Sequence, residues 1–248
     1  MARICLSAGF SGTALKRIAA AAMLVDHIGA VCLWRGVLLP WPGIEQGIDA
    51  LRASSAAFAA WYWFYYALRL VGRLAFPLYC FLLAEGFVHT RSTPRYAARL
   101  LSFALLSEAP FDFAVTGSTF YPDAQNVYFT LFLGLCAVWA MQRLPGKPAQ
   151  LFALALLATA AELLHTDYGA MGVALIAVFW YFRTNAPRRD LFAILLTAGQ
   201  MTAPLALLLI QHYNGSRGNS PRWETHFHYL FYPAHLLALA LLTQYILY

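Results

Sequence analysis

The stretch from Leu15 to Ile28 reads L-K-R-I-A-A-A-A-M-L-V-D-H-I and places Asp26 and His27 side by side within an apolar run. A long aliphatic run of this kind predicts a helix. If that helix crosses a bilayer, the two polar residues lie near mid-membrane, where ionisable groups are costly and usually serve a function. The rest of the chain has to indicate whether it crosses.

The composition is that of an integral membrane protein. The chain has 248 residues, of which 61% are hydrophobic and 11% are charged, and its mean hydropathy is +0.59. Soluble domains carry about a quarter charged residues. Apolar runs long enough to cross about 30 Å of hydrocarbon recur along the chain. We therefore expect one domain over residues 1–248, an all-α polytopic membrane helical bundle, because lipid requires each span to satisfy its own backbone.

About eight transmembrane helices are predicted, the first being a retained span and not a cleaved signal. They cover residues 14–36, 73–90, 96–114, 126–144, 149–165, 168–184, 189–211 and 229–248. Between the first two, the stretch A-A-W-Y-W-F-Y-Y-A-L-R-L-V at 59–71 predicts an interfacial aromatic helix at the headgroup level. The alternative is that 54–88 holds two spans, but 35 residues are few for two helices of about 20 residues and a turn.

The basic residues predict an orientation. With the N-terminus inside, eleven of them fall on the inner side: Arg3, Lys16, Arg17, Arg91, Arg95, Arg99, Arg143, Lys147, Arg183, Arg188 and Arg189. Six fall on the outer side: Arg35, Arg52, Arg69, Arg73, Arg217 and Arg222. This bias favours a bacterial inner membrane protein with both termini in the cytoplasm. It also explains the formal charge of +6 without nucleic acid as a partner.

The cysteines predict neither a metal site nor a disulfide framework. The chain has four cysteines, Cys5, Cys32, Cys80 and Cys136, which stand singly without C-x-x-C spacing. We expect them to be small packing residues, and we expect no metal.

Several polar residues remain that hydropathy does not explain. Glu85 and His89 are four residues apart and share a helix face near the inner end of the second span. Candidates for binding at the inner mouth are Lys16, Arg17, Arg91, Arg95 and Arg99; candidates at the outer mouth are Glu108, Asp112, Asn126, Asp167 and His235. Alternative interpretations are an orientation signal for the arginines, a helix cap for Asp167, and a structural polar knot beside Pro110 for Glu108 and Asp112.

These positions suit a reaction site inside the bundle that opens at both the inner and the outer end, the inner and outer mouths. A neutral imidazole can accept a proton from an amine or hydroxyl, which makes His27 the candidate base. Asp26 could orient it, but neighbouring residues on a helix point about 100° apart, so Glu85 or His235 are alternative partners. A basic inner mouth suits a phosphorylated ligand. The polar outer mouth suits an amine or hydroxyl acceptor, and Glu85 is a further candidate for substrate binding.

The chain also resembles a known family through nine motifs in a fixed order. They are L-K-x-I-A at 15–19, M-x-x-D-H-I-G at 23–29, G-R-x-A-F-P-L at 72–78, F-L-L-A-E-G-F-x-H-T-R at 81–91, Y-x-x-R-L at 96–100, S-E-x-P-F-D at 107–112, N-V-Y-F-T-L at 126–131, D-Y-G at 167–169 and Y-P-x-H-L at 232–236. On these motifs the chain resembles the TraX family of polytopic inner-membrane proteins. That family's named activity is N-terminal acetylation of F-type pilin, and it is similar in logic to the wider transmembrane acyltransferases.

The resemblance implies acetyl-CoA as the donor substrate on the cytoplasmic side. The acetyl group would go to an acceptor at the outer face: a protein N-terminus, a sugar, or another amine or hydroxyl. It implies that His27 is a general base or transient acyl carrier supported by Asp26, and that Lys16, Arg91 and Arg99 bind the CoA phosphates. The alternative function is a proton-coupled transporter or flippase that uses the same polar groups. An intramembrane protease is disfavoured because the sequence contains neither G-x-S-x-G nor H-E-x-x-H.

Overall fold

The computed structural model describes residues 9–247, which form helices joined by short turns. Arg3 and Cys5, which the sequence analysis counted, lie outside the described residues. The α-helices are α1 Gly12–His27, α2 Ile48–Ser54, α3 Ala56–Gly72, α4 Ala75–His89, α5 Thr93–Thr116, α6 Val127–Arg143, α7 Lys147–Leu163, α8 Gly169–Tyr181, α9 Ala186–Thr197, α10 Ala206–Gln211 and α11 Arg222–Leu247.

The first helix forms as predicted, and it changes from an α-helix to a π-helix directly after the polar pair. Ser11 caps it by accepting a hydrogen bond from the backbone of Ala14, and after His27 the chain continues as a π-helix over Ile28–Leu38. Together these 27 residues are about 40 Å long and are apolar enough to cross a membrane. Asp26 and His27 thus lie near the middle, where the winding changes, and π-helical turns often mark functional sites.

The aromatic segment runs lengthwise along the first helix. Helices α3 and α4 form one 34-residue segment, Ala56–His89, the second helical segment in the described residues that is long and apolar enough to cross a membrane. The Tyr65 ring lies 5.5 Å from that of Trp34, and Arg69 bonds Asp26, so the segment is antiparallel to α1. The prediction of an interfacial helix was therefore wrong. Hydropathy could not show that these aromatic side chains pack against the π-helix.

Helices α5 to α8 follow the predicted runs and alternate in direction. At the end of α5, the guanidinium of Arg35 from the π-helix donates to the Phe113 carbonyl at 2.7 Å. At the end of α8, Arg183 lies 3.6 Å from Glu85 of α4. We call the end of the bundle that holds the start of α1 and Arg183 the basic end, and the opposite one the far end.

The predicted span 189–211 was wrong, because the chain folds there into a hairpin. Helix α9 leaves the basic end, and the Thr202 hydroxyl in the following turn donates to the Leu70 carbonyl. Helix α10 then returns, and Gln211 donates to Asp190 near the start of α9 at 2.9 Å. Gly199 and Pro204 interrupt the apolar run at the turn.

The last helix starts at the basic end and runs parallel to α1. Arg17 bonds Glu224 in the first turn of α11 at 2.7 Å, and the Thr13 backbone N–H donates to Arg217 at 2.9 Å. The prediction that Arg217 lies on the outer side, opposite the start of the first helix, was wrong. Because α1 and α11 are parallel, residues 9 and 247 lie at opposite ends of the bundle. The prediction of both termini in the cytoplasm depends on the eight-span arrangement, which the described residues do not reproduce.

Candidate functional site

A large cavity of about 600 Å³ opens at the basic end. Its wall is formed by the starts of α1, α5 and α11, the end of α4, and the loop before α11. Three cationic side chains line it, Lys16, Arg99 and Arg217. Glu85 and Glu224 supply acidic groups to the same wall, so the cavity is polar as well as basic.

Tyrosine rings hold two of these cations. The Arg99 guanidinium lies 5.1 Å from the ring centroid of Tyr96 and 5.0 Å from that of Tyr229. The Lys16 ammonium lies 5.6 Å from the Tyr229 ring. Contacts between a cation and an aromatic ring are stronger when the cation has lost part of its water. Lys16 and Arg99 were predicted as ligand-binding residues, and the structure places both on the cavity wall.

The other predicted arginines lie elsewhere. Arg17 has 60% of its side chain exposed, and it donates two hydrogen bonds to Glu224 at 2.7 and 3.0 Å. Arg91 and Arg95 are exposed and are not among the residues of the cavity wall. Arg217 was missed because it lies in a polar loop, which the sequence analysis placed at the far end.

Glu85 belongs to the basic end. Its carboxylate lies 3.8 Å from Nε2 of His89, the partner that helical spacing predicted, and 3.6 Å from Nε of Arg183, just after α8. Glu85 borders the large cavity and is not among the residues that border the small cavity with His27. Of the alternative partners proposed for His27, this leaves His235.

A small cavity of about 50 Å³ surrounds the polar pair of α1. Asp26, His27, Asp167 and Tyr232 border it. Tyr79 of α4 borders both the small and the large cavity, so this residue lies between them. The sequence analysis missed Tyr79, because a tyrosine in an aromatic-rich run gives no distinguishing signal.

Asp26 and His27 contact different partners. Oδ2 of Asp26 accepts a hydrogen bond from Arg69 of α3 at 2.6 Å, while Oδ1 is buried and has no hydrogen-bond partner among the described residues. Nδ1 of His27 lies 2.6 Å from Nε2 of His235 on α11. Asp26 therefore does not orient His27. Arg69 was missed as its partner, although an arginine within an aromatic helix was a signal that a buried acid was near.

The loop after α7 brings Asp167 to the small cavity. The Thr130 hydroxyl donates to the Asp167 carbonyl, and Tyr168 has a left-handed backbone (φ 65°) that lays its ring 3.6 Å from the Phe76 ring. The Asp167 side chain makes no cap bond to α8, so the alternative of a helix cap was wrong. Asp167 borders the small cavity and remains exposed.

Glu108, Asp112 and Asn126 form contacts outside both cavities. The buried Asn126 amide donates to Glu108 and to the Ala104 carbonyl, the latter at 2.8 Å, and its oxygen caps α6. Asp112 accepts from the backbone of Tyr121 at 2.8 Å. These bonds fix the start of α6 and the preceding loop against α5. The geometry matches the structural polar knot and gives these residues no contact with the candidate site.

Comparisons with known proteins find one relative and one family that each match most of the chain. The chain is 28% identical over 258 aligned residues to the probable fimbrial assembly protein FimC, serogroup H1, of Dichelobacter nodosus, and the match covers 93% of this chain and 94% of that protein. No solved structure matches the chain. The family described as TraX protein matches residues 11–243, which span all the motifs quoted above. The resemblance is confirmed, and the chain belongs to the TraX family.

Proposed function

We propose that this chain is a membrane-embedded acetyltransferase. It takes an acetyl group from cytoplasmic acetyl-CoA at the basic end and transfers it to an amine or hydroxyl acceptor at the outer side of the bacterial inner membrane. One observation carries the proposal: Tyr79 borders both the large basic cavity and the small cavity that holds His27. A donor binding site and a base inside the bundle thus lie on either side of one residue.

In this proposal the bundle is polytopic, with its basic end in the cytoplasm. Seven passes cross the membrane: α1 with its π-helix, α3 with α4, α5, α6, α7, α8 and α11. The α9–α10 hairpin enters and leaves at the basic end. Once Arg217 and Arg222 are counted at that end, 12 of the 16 basic residues from Lys16 onward lie on the cytoplasmic side, against 10 in the eight-span arrangement. The stronger bias supports this orientation.

The large cavity is the proposed acetyl-CoA site. Its volume of about 600 Å³ is within the usual range for sites that bind small molecules and cofactors. Lys16, Arg99 and Arg217 bind the phosphates, since charge-assisted bonds to phosphate are strong and guanidinium groups can make them in pairs. The pantetheine arm then points toward Tyr79, and this brings the thioester to the small cavity.

The chemistry is a direct acyl transfer. The lone pair of the acceptor nitrogen or oxygen attacks the thioester carbonyl carbon, the carbon–sulfur bond breaks, and CoA leaves as a thiolate. His27 takes the proton from the acceptor and returns it to the thiolate, which gives free CoA and the acetylated acceptor. General base catalysis of this kind contributes about 10²–10⁴-fold to the rate. Asp26 and Asp167 line the space in which the acceptor group binds.

The related protein suggests where to look for the acceptor. Its name connects it with fimbrial assembly. This supports testing the N-terminal amine of a fimbrial subunit first, with sugars and other amines as the next acceptors.

The test uses purified protein in lipid nanodiscs with radiolabelled acetyl-CoA. We expect binding of CoA and slow acetyl transfer or hydrolysis. Changing His27→Ala should lower transfer at least about 100-fold while CoA still binds. Changing Arg217→Gln should weaken CoA binding about 10-fold or more, because a bond to a charged group is worth about 1.5–3 kcal/mol. Arg95→Gln, outside the cavity wall, is the matched control, and an absence of CoA binding by the unmodified protein would refute the proposal.

The runner-up is a proton-coupled transporter or flippase. The α9–α10 hairpin favours it, because broken helices of this kind occur in carriers. Carriers built from repeats place such breaks in corresponding positions of two halves, and the described residues contain no second hairpin that matches α9–α10. Flux into liposomes that follows a pH gradient and does not respond to acetyl-CoA would favour this function over the acetyltransferase.

A further inference from the structure

Two imidazoles meet at the centre of the bundle. The rings of His27 on α1 and His235 on α11 are 4.9 Å apart between centroids and inclined by 22°, and Nδ1 of His27 lies 2.6 Å from Nε2 of His235. The other nitrogen of His235, Nδ1, lies 2.5 Å from the carbonyl oxygen of Phe231, one turn earlier on α11. The two imidazoles and the carbonyl are thus linked by two successive hydrogen bonds, the second of which ends on the backbone carbonyl.

The Phe231 carbonyl determines which nitrogen donates and which accepts in each of these hydrogen bonds. A carbonyl oxygen only accepts, so Nδ1 of His235 must carry a proton. In a neutral imidazole the other nitrogen, Nε2, then holds a lone pair. Nδ1 of His27 faces that lone pair and must be the donor. For a neutral pair, this leaves the lone pair of His27 on Nε2.

The positions of the two rings give them different roles. His27 borders the small cavity and His235 does not, although the two are in contact. The ring of Phe231 stacks on His235 at 4.7 Å, and Tyr232 meets His27 edge-on at 5.9 Å. Asp26, the sequence neighbour of His27, is held by Arg69. His235 is therefore the group that sets the proton position on His27.

We propose that His235 is a positioning residue: it accepts the Nδ1 proton of His27 and so keeps the lone pair of His27 Nε2 available for a reacting group in the small cavity. The same logic applies wherever a base is oriented by a third group. The use of His27 as a base rests on the proposed acetyl transfer. The tautomer of His27 does not, and it can be measured on the resting protein.

The direct test is nitrogen NMR on protein labelled with ¹⁵N-histidine in nanodiscs. The chain has seven histidines, so the spectrum of a His27→Gln variant identifies the signals of His27. We expect a neutral His27 with its proton on Nδ1 and a non-protonated Nε2. A proton on Nε2 of His27 in the unmodified protein would overturn the proposal, whatever the activity.

Two substitutions of His235 separate positioning from packing. Glutamine places an oxygen near the position of Nε2 and can accept the same bond, whereas leucine cannot. We expect His235→Gln to keep the His27 tautomer and to lose less than about 10-fold in kcat. In His235→Leu we expect the proton of His27 to be no longer fixed on Nδ1. We expect kcat to fall about 100-fold with the KM for acetyl-CoA unchanged. Equal losses in the two variants, or an unchanged tautomer in His235→Leu, would contradict the positioning role.

The controls separate this proposal from the proposed function. Thermal unfolding and CoA binding of both variants show whether they fold and keep the donor site. If the unmodified protein neither binds CoA nor transfers acetyl, the acetyltransferase proposal fails while the tautomer remains measurable. If it is active but His27 carries its proton on Nε2, only the role of His235 is refuted.

Discussion

Asp26 and His27 are neighbours in sequence with separate tasks. Asp26 joins α1 to α3 through Arg69, and both side chains are largely buried, at 14% and 18% exposure. A buried charge of this kind needs a partner, because removing it from water is costly. His27 points to α11 and to the small cavity. The polar pair of an apolar helix therefore combines one contact that holds the bundle with one group available for chemistry.

The first prediction concerns the ion pair of Asp26 and Arg69. Asp26→Leu should lower the free energy of unfolding by about 3–5 kcal/mol, because it leaves a buried guanidinium without its partner. The double variant Asp26→Leu with Arg69→Leu should recover most of this loss, since neither charge remains. Unfolding by denaturant in detergent micelles measures both.

An exposed pair on the same protein provides the control. Asp49 and Arg52 of α2 are 3.0 Å apart, and the Asp49 side chain is 95% exposed. Asp49→Ala should change the free energy of unfolding by less than about 1 kcal/mol. A double variant at Asp26 and Arg69 that is as unstable as the single one would mean that the loss comes from packing and not from the unpaired charge.

The sequence predicted those site residues whose surroundings make them unusual. Asp26 and His27 stand in an apolar run, and Lys16 and Arg99 lie at helix ends, so composition alone singles them out. Arg217 gave no such signal, because it lies in a polar loop and reaches the cavity only when that loop folds against the start of α1. Contacts between distant segments decide which polar residues meet.

At the scale of the elements, α1 and α3 approach closely where glycine permits it. Gly72, the last residue of α3, lies against Asp26, and a side chain at this position would overlap the Asp26 carboxyl group. The ion pair with Arg69 is formed one turn away on the same helix. The small residue thus determines how near α3 comes to the polar pair.

The second prediction tests this close approach. Gly72→Ala should lower the free energy of unfolding by about 1–3 kcal/mol, because the added methyl group must displace the Asp26 carboxyl or the helix. Gly199→Ala in the α9–α10 turn is the matched control, since no atom lies within 4 Å of an added methyl there. Thermal unfolding of both variants in the same detergent compares them. Equal stability of the two variants would show that α1 and α3 can move apart without a loss in the free energy of unfolding.

The elements were predicted unequally well, for a physical reason. Runs of apolar residues predicted α1 and α4 to α8, because burial in either protein or lipid requires them. The same measure joined α9 and α10 into one span, since hydropathy averaged over a window does not register the breaks at Gly199 and Pro204. It also could not distinguish an aromatic helix on a membrane surface from one packed along a neighbour, as α3 is.

At the scale of the whole molecule, the hairpin determines where the chain ends. Because α9 and α10 return to the basic end, α11 starts there and runs parallel to α1. That parallel arrangement brings His235 level with His27. A single span in place of the hairpin would reverse α11, put its start at the far end, and separate Glu224 from Arg17. The contact between His27 and His235 therefore depends on the direction in which α11 runs.

The third prediction tests this topology with single cysteines. In a variant whose native cysteines are replaced by alanine, cysteine is introduced at Ser118, between α5 and α6, at Ser216, before α11, or at Gln244, near the end of α11. A membrane-impermeant maleimide added outside intact spheroplasts should label Ser118→Cys and Gln244→Cys. It should label Ser216→Cys only after permeabilisation, because the proposed orientation places the basic end in the cytoplasm. Arg95→Cys at the start of α5 is the cytoplasmic control. Labelling of Ser216→Cys from outside, with Gln244→Cys protected like Arg95→Cys, would mean that residues 189–211 cross the membrane once and that the parallel pairing of α1 and α11 is wrong.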